Sequence, residues 1–209
     1  MIPAQIVVGV LAGGRGARFG GADKGWIERN GRAQIEHVLA SLQANATVLE
    51  AEGPGHIEPV HIEHVLVSAN RNLDRYRALG VEGVPDRWPA FLGPMAGIAS
   101  LIEAQAGIGS DAMLLTLPVD HCDLPREFVL RMLATAATFP DACVVASDGD
   151  GIQPLMALYS PRRARKLAEA FAAGERSVRR WQQTQALRIC PFEPLRFGNL
   201  NTPDDLTSP

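Results

Sequence analysis

The stretch LAGGRGARFGGADKG, residues 11 to 25, holds the densest chemistry in the chain. Its glycines let backbone N–H groups approach phosphate oxygens closely, and Arg15, Arg18 and Lys24 bring cations to the same loop. The chain as a whole is slightly acidic, with 20 Lys+Arg against 23 Asp+Glu and a formal charge of -3, so an anion site here is local. Cations on a glycine-rich backbone fit a polyphosphate, which guanidinium and ammonium groups hold by charge-assisted hydrogen bonds. No G-x-x-x-x-G-K-[ST] occurs, and the nearest approach to G-x-G-x-x-G, at Gly14 and Gly16, ends in Phe19. The loop is therefore neither a P-loop nor a dinucleotide fingerprint.

Two acids could complete such a site. Asp120 follows the apolar run 112 to 117, and open α/β sheets bind ligands at the carboxyl ends of their strands. A hard ion such as Mg²⁺ prefers carboxylate and phosphate oxygens, which suits Asp120 as its ligand; the competing reading is a helix cap, which fits Asp123 better. Asp86, between Pro85 and Trp88, falls at another strand end, where a carboxylate can accept from either a base or a ribose.

The elements that must place these groups follow from apolar periodicity. Residues 6 to 11 are too short for a helix and read as a buried strand closed by Gly13-Gly14. A short extended piece at 26 to 28 and a turn at Asn30-Gly31 precede a helix with Ile35, Val38, Leu39 and Leu42 on one face. Residues 45 to 63 carry Gly-Pro-Gly and Glu-Pro, show no clean period, and read as an irregular connection. Strands are then predicted at 64–69, 83–85, 112–117, 142–147 and 155–159, with a last one before Asn199. Helices are predicted at 73–79, 95–104, 125–137 and 161–172, with a short one after Gly174. This alternation predicts a single α/β domain with a doubly wound, mostly parallel sheet and right-handed crossovers.

Composition agrees. The 209 residues, 46% of them hydrophobic, suffice for one sizeable core. Three cysteines, Cys122, Cys143 and Cys190, form neither a CxxC pair nor a disulfide framework, which favours a reducing compartment. Without a basic n-region or a long apolar span, a cytoplasmic protein with no membrane or nucleic-acid partner is expected. His56, His61 and His64, with Glu58 and Glu63 among them, match no zinc spacing and are expected at the surface. The basic runs at 162 to 166 and 176 to 180 read as solvated helix faces, with Arg176 the exception.

The loop pattern LAGG-x(3)-R-F-G-G-x-D-K-G resembles the signature of nucleotidyltransferases with a glycosyltransferase-A-like, Rossmann-like fold, and most closely the molybdenum cofactor guanylyltransferase (MobA) family. Further segments keep that family's order: Ser68-Ala69-Asn70-Arg71, Asp86, GPMAGI at 93 to 98, LPVDHCDLP at 117 to 125, GERSVRRW at 174 to 181 and NLNTPDDL at 199 to 206. The sequence departs from the family at Ser68, where an Asn is common, and in the longer 45 to 63 connection.

The resemblance implies transfer of GMP from Mg²⁺-bound GTP to the terminal phosphate of a molybdopterin-type cofactor. Cofactor-delivering and molybdoenzyme-maturation proteins are the partners it implies. Catalytic roles then fall to Lys24, Arg18 and Asp120, with Asp120 on the metal, and nucleotide binding to Leu11, Ala12, Gly13, Gly14, Lys24, Ser68, Asn70, Asp86 and Asp120. The pterin-bearing substrate is implied at Gly174, Glu175, Arg176, Asn199 and Asn201, so nucleotide signals occupy 6–125 and cofactor signals 150–206. The alternatives are the same transfer from CTP, another small-molecule nucleotidyltransferase, and a non-catalytic nucleotide-binding module; retention of both the loop and Asp120 argues against the last.

Overall fold

The computed structural model describes residues 5–14, 21–52, 61–88, 92–109, 111–120 and 124–198. Arg18, Asn199 and Asn201, with Cys122, Asp123 and His56, lie outside the described residues. Strand β1 (Gln5–Leu11) is an interior strand of a seven-stranded sheet and precedes a one-turn 3-10 helix at Lys24–Trp26. A small hairpin, β2 (Glu28–Arg29) and β3 (Arg32–Ala33), turns through Asn30 and Gly31, both with positive φ, before helix α1 (Gln34–Glu52). Then come β4 (His61–Ser68), α2 (Leu73–Ala78), β5 (Glu82–Val84), α3 (Pro94–Gly107), β6 (Met113–Pro118) and α4 (Phe128–Thr138). The chain continues through β7 (Cys143–Asp148), β8 (Gly151–Tyr159), α5 (Pro161–Ala172), α6 (Val178–Gln183) and β9 (Leu187–Pro191).

The strand order is β5-β4-β1-β6-β8-β7-β9, parallel throughout except for β8, which runs antiparallel to both neighbours. Alternate side chains of β1 feed two cores. Ile6, Val8 and Val10 face α1 and α4, whereas Val7 and Leu11 face α3 and the α5–α6 layer. This is the predicted α/β sheet in one domain, with every parallel strand delivering its carboxyl end to the same edge.

The prediction of an irregular connection at 45 to 63 is corrected at both ends: α1 runs to Glu52, and β4 begins at His61. The stripe Ile35, Val38, Leu42, Asn45, Leu49 keeps helical spacing, but its fourth member is polar, which breaks the apolar period. Asn45 is buried because it works between helices. It donates to Pro125 O at 3.0 Å and accepts the amide of Val129 at 2.9 Å, so α1 satisfies an orphan N–H at the start of α4. That helix begins at Phe128 rather than Pro125, with Pro125 O accepting the Phe128 amide. Among the described residues no helix is long and apolar enough to cross a membrane.

Candidate active site

Backbone bonds beyond the sheet lace four strand ends together. Ala12 N donates to Ser68 O, Ala69 N to Val84 O, and Val119 N to Leu11 O, each at 3.0 to 3.1 Å. Extending the pairing one residue past the strands fixes the glycine loop, Ser68, Asp86 and Asp120 relative to one another. They enclose a cleft of about 330 Å³ at the carboxyl edge of the sheet, in the position where open α/β folds bind ligands.

Leu11, Gly13, Gly14, Lys24, Ser68, Asp86 and Asp120 all line this cleft. Ala12 is buried in the core beneath them, and Asn70 stands beside Asp86. Lys24 Nζ donates to Asp120 Oδ2 at 2.8 Å. Both side chains are partly screened from water, 34% and 16% exposed. Asp120 therefore faces the cleft and is not the cap of α4, whose amide is met by Asn45.

Asp86 and Asn70 form a reciprocal pair: Asn70 Nδ2 donates to Asp86 Oδ2 at 3.0 Å, and the Asp86 amide donates to Asn70 Oδ1 at 2.8 Å. The second carboxylate oxygen, Oδ1, is buried without a partner among the described residues. Leaving a buried acceptor unmet is costly, so this carboxylate is held in place by Asn70 and not by its own solvation. The floor is formed by α3, where Gly97 approaches closely: a Cβ there would lie 2.6 Å from Ser68 Oγ.

Sequence reasoning missed the support of Lys24. Asp23 caps the Lys24–Trp26 turn by accepting the Gly25 amide, and its carboxylate also accepts from Asn72 and Tyr76. Arg71 donates to Gly21 O. A short polar residue directly before a turn is a capping signal that could have been read for Asp23, but Tyr76 is 53 positions away and left no local trace. Leu155 of β8, which closes the cleft on the far side, was also missed.

Gly174, Glu175 and Arg176 form the α5–α6 turn and do not line this cleft. Arg176 is engaged locally: its guanidinium donates to Phe171 O and Glu175 O, each at 2.7 Å, and lies 4.4 Å over the Phe171 ring. Phe171 meets Trp88 edge to face at 4.7 Å, so the turn is packed onto the loop that follows Asp86. Glu175 pairs with Arg180 and accepts the amides of Arg176 and Ser177, which hold its carboxyl down at about 2. His61 and His64 are exposed on β4, and among the described residues no cluster of His, Cys, Asp or Glu could hold a metal.

A family model described as the MobA-like NTP transferase domain matches residues 8–189. The open sheet, with its cleft at the carboxyl ends of the strands, is that of a nucleotidyltransferase. The chain is 34% identical over 202 residues to the molybdenum cofactor guanylyltransferase of Shewanella sp. (strain MR-4), a match covering 96% of this chain and 92% of that protein. The chain belongs to the MobA-like NTP transferase family, and its chemistry is nucleotidyl transfer in molybdenum cofactor biosynthesis.

Solved structures share the fold. Molybdopterin-guanine dinucleotide biosynthesis protein A from Archaeoglobus fulgidus superposes with a TM-score of 0.66 at 22% identity, over 96% of this chain and 94% of that one. Rv0371C from Mycobacterium tuberculosis H37Rv, solved in complex with manganese, gives 0.65 at 15% identity over 96% and 95%.

Proposed function

We propose that the chain transfers GMP from GTP to the terminal phosphate of a molybdopterin-type molybdenum cofactor, forming the guanine dinucleotide and releasing pyrophosphate. The observation that carries this reading is the Lys24–Asp120 pair inside a glycine-lined cleft. The name of the Shewanella relative supplies the substrate class. In this reading the amides of Gly13 and Gly14, with Arg18 and Lys24, hold the triphosphate while the acceptor phosphate attacks the α-phosphorus in line. The acceptor phosphate is itself the nucleophile, so the protein contributes alignment and preorganised charge, and no Ser or Cys nucleophile is required.

The donor set suits a hard ion. Asp120 is one carboxylate beside the space for phosphates, and Mg²⁺ takes one or two protein carboxylates and completes its shell with phosphate oxygens and water. Asp120 would hold that ion, whose chemistry when bound is neutralisation of phosphate charge.

Asp86, which lines the cleft and is held by Asn70, is proposed to accept from the base. Guanine offers adjacent ring N–H and amino donors to a carboxylate, whereas cytosine offers its amino group beside acceptors. The turn at Gly174, Glu175 and Arg176, with Asn199 and Asn201, is proposed to serve the pterin-bearing substrate. The packing of Phe171 on Trp88 puts that turn beside the loop that follows Asp86.

A thermal-shift comparison of GTP, CTP, ATP and UTP with Mg²⁺ tests the nucleotide. GTP is expected to raise Tm most, and Asp86→Ala to remove much of that shift. A CTP preference would make the chain a cytidylyltransferase; no shift with any of the four would overturn the reading.

A further inference from the structure

Lys24 has a long, flexible side chain, and its aim depends on how firmly its backbone is held. The holding group is the carboxylate next to it. Asp23 Oδ1 accepts the Gly25 amide at 3.1 Å and the Tyr76 hydroxyl at 2.8 Å, while Oδ2 accepts from the Asn72 side-chain amide at 3.1 Å. Tyr76 is fully buried in α2; burial and the neighbouring Asp23 charge raise its phenol far above the usual range, so it stays a proton donor. The Trp26 ring packs 5.1 Å from the Tyr76 ring, and Gly25 is pressed so close that a Cβ would lie 2.2 Å from the phenol oxygen.

The same stretch of chain reaches the other end of the cleft. Asn70 holds Asp86, and Asn72 and Tyr76 hold Asp23. One short segment therefore sets the phosphate-side lysine and the base-side carboxylate relative to each other.

We propose that Asp23, fixed by Tyr76, is the positioning residue that aims Lys24 at the transferring phosphate. This rests on the reading of Lys24 given above. Neither Asp23 nor Tyr76 lines the cleft; each acts through the turn that carries Lys24.

A double-mutant cycle on the full chain tests it, with pyrophosphate release from Mg²⁺-bound GTP in the presence of a molybdopterin acceptor as the assay. Tyr76→Phe keeps the ring against Trp26 and removes only the hydroxyl. It is expected to lower kcat by roughly ten- to a hundredfold, with KM for GTP changed less than about twofold. In the Lys24→Ala background it is expected to do nothing further. Asp23→Asn, run through the same cycle, should behave alike and serves if Tyr76→Phe does not fold. Equal losses in both backgrounds, or an unchanged kcat in Tyr76→Phe, would overturn the proposal. If Lys24→Ala alone turned over like wild type, the reading of Lys24 would fail and this one with it; if Lys24→Ala were crippled and Tyr76→Phe silent, only the positioning role would fall.

Discussion

Lys24 Nζ and Asp120 Oδ2 meet at 2.8 Å although 96 residues separate them in sequence. One comes from the turn after the glycine loop and the other from just beyond β6, so the pair closes the cleft across the sheet edge. A partly exposed ion pair of this kind contributes only about 0 to 1 kcal/mol to stability. Its placement matters for what it holds: a cation and a carboxylate, each satisfied by the other, standing beside the same space.

Lys24→Ala is expected to cost about 2 to 4 kcal/mol of transition-state stabilisation, the range for removing one preorganised electrostatic group. By the same arithmetic the rate falls by roughly 30- to 1,000-fold. Circular dichroism and Tm should stay close to wild type, because the ion pair adds little to the fold. Near-normal turnover would leave Lys24 as a solvated loop residue.

Asp120→Asn should abolish most metal-dependent turnover with little change in Tm. Mn²⁺ binding in the presence of GTP, followed by electron paramagnetic resonance, reads the metal without depending on catalysis. Binding should weaken by an order of magnitude or so, since one carboxylate is the protein's share of the site. Loss of folding would instead assign Asp120 a structural role, and rescue by Zn²⁺ but not by Mg²⁺ would contradict an oxygen-donor site.

The sheet was legible because its central strands are uninterrupted apolar runs, and the cleft because its residues sit where those runs end. What escaped was set by contacts between distant segments. Asn45 occupies a buried helical position for the sake of α4, so the periodicity that defines α1 stops at the residue that ties two helices together. Tyr76 reads as one apolar residue in a short helix, and only the folded chain brings its hydroxyl to Asp23. The GER turn was legible as a motif, yet Arg176 spends its hydrogen bonds on Phe171 and Glu175, which no spacing rule reveals.

Glu175 gives the α5–α6 turn a pH dependence. Its carboxyl is held at about 2 against an ordinary 4.5, first by the hydrogen bond from Arg180 and then by the Ser177 amide. A depressed folded value means the stabilisation is complete above the unfolded value and is lost as pH falls from about 4.5 towards 2. Wild type should therefore lose Tm more steeply than Glu175→Gln across that window, and the gap between them should shrink in high salt because Arg180 is solvent-exposed. Parallel melting curves would show that the carboxylate charge does nothing for the turn.

Gly25 offers the sharpest steric test of how Lys24 is mounted. It is not among the glycines with positive φ, so what it supplies is space: an added Cβ would meet Tyr76 Oη at 2.2 Å and ring carbons at 3.1 and 3.2 Å. Tyr76 is fully buried and cannot swing away, so Gly25→Ala must push the Lys24 turn off α2. Overpacking of this kind costs about 1 to 3 kcal/mol, or a Tm loss of roughly 2 to 12 °C for a chain this size. Tyr76→Phe removes the nearest of the three clashing atoms, so in the Gly25→Ala background it should restore part of the lost Tm, although alone it forfeits a hydrogen bond. Differential scanning calorimetry on the two single variants and the double variant reads this reversal of sign. If Gly25→Ala melted like wild type, the turn would not be seated on α2, and the contact between Asp23 and Tyr76 would have no hold on Lys24.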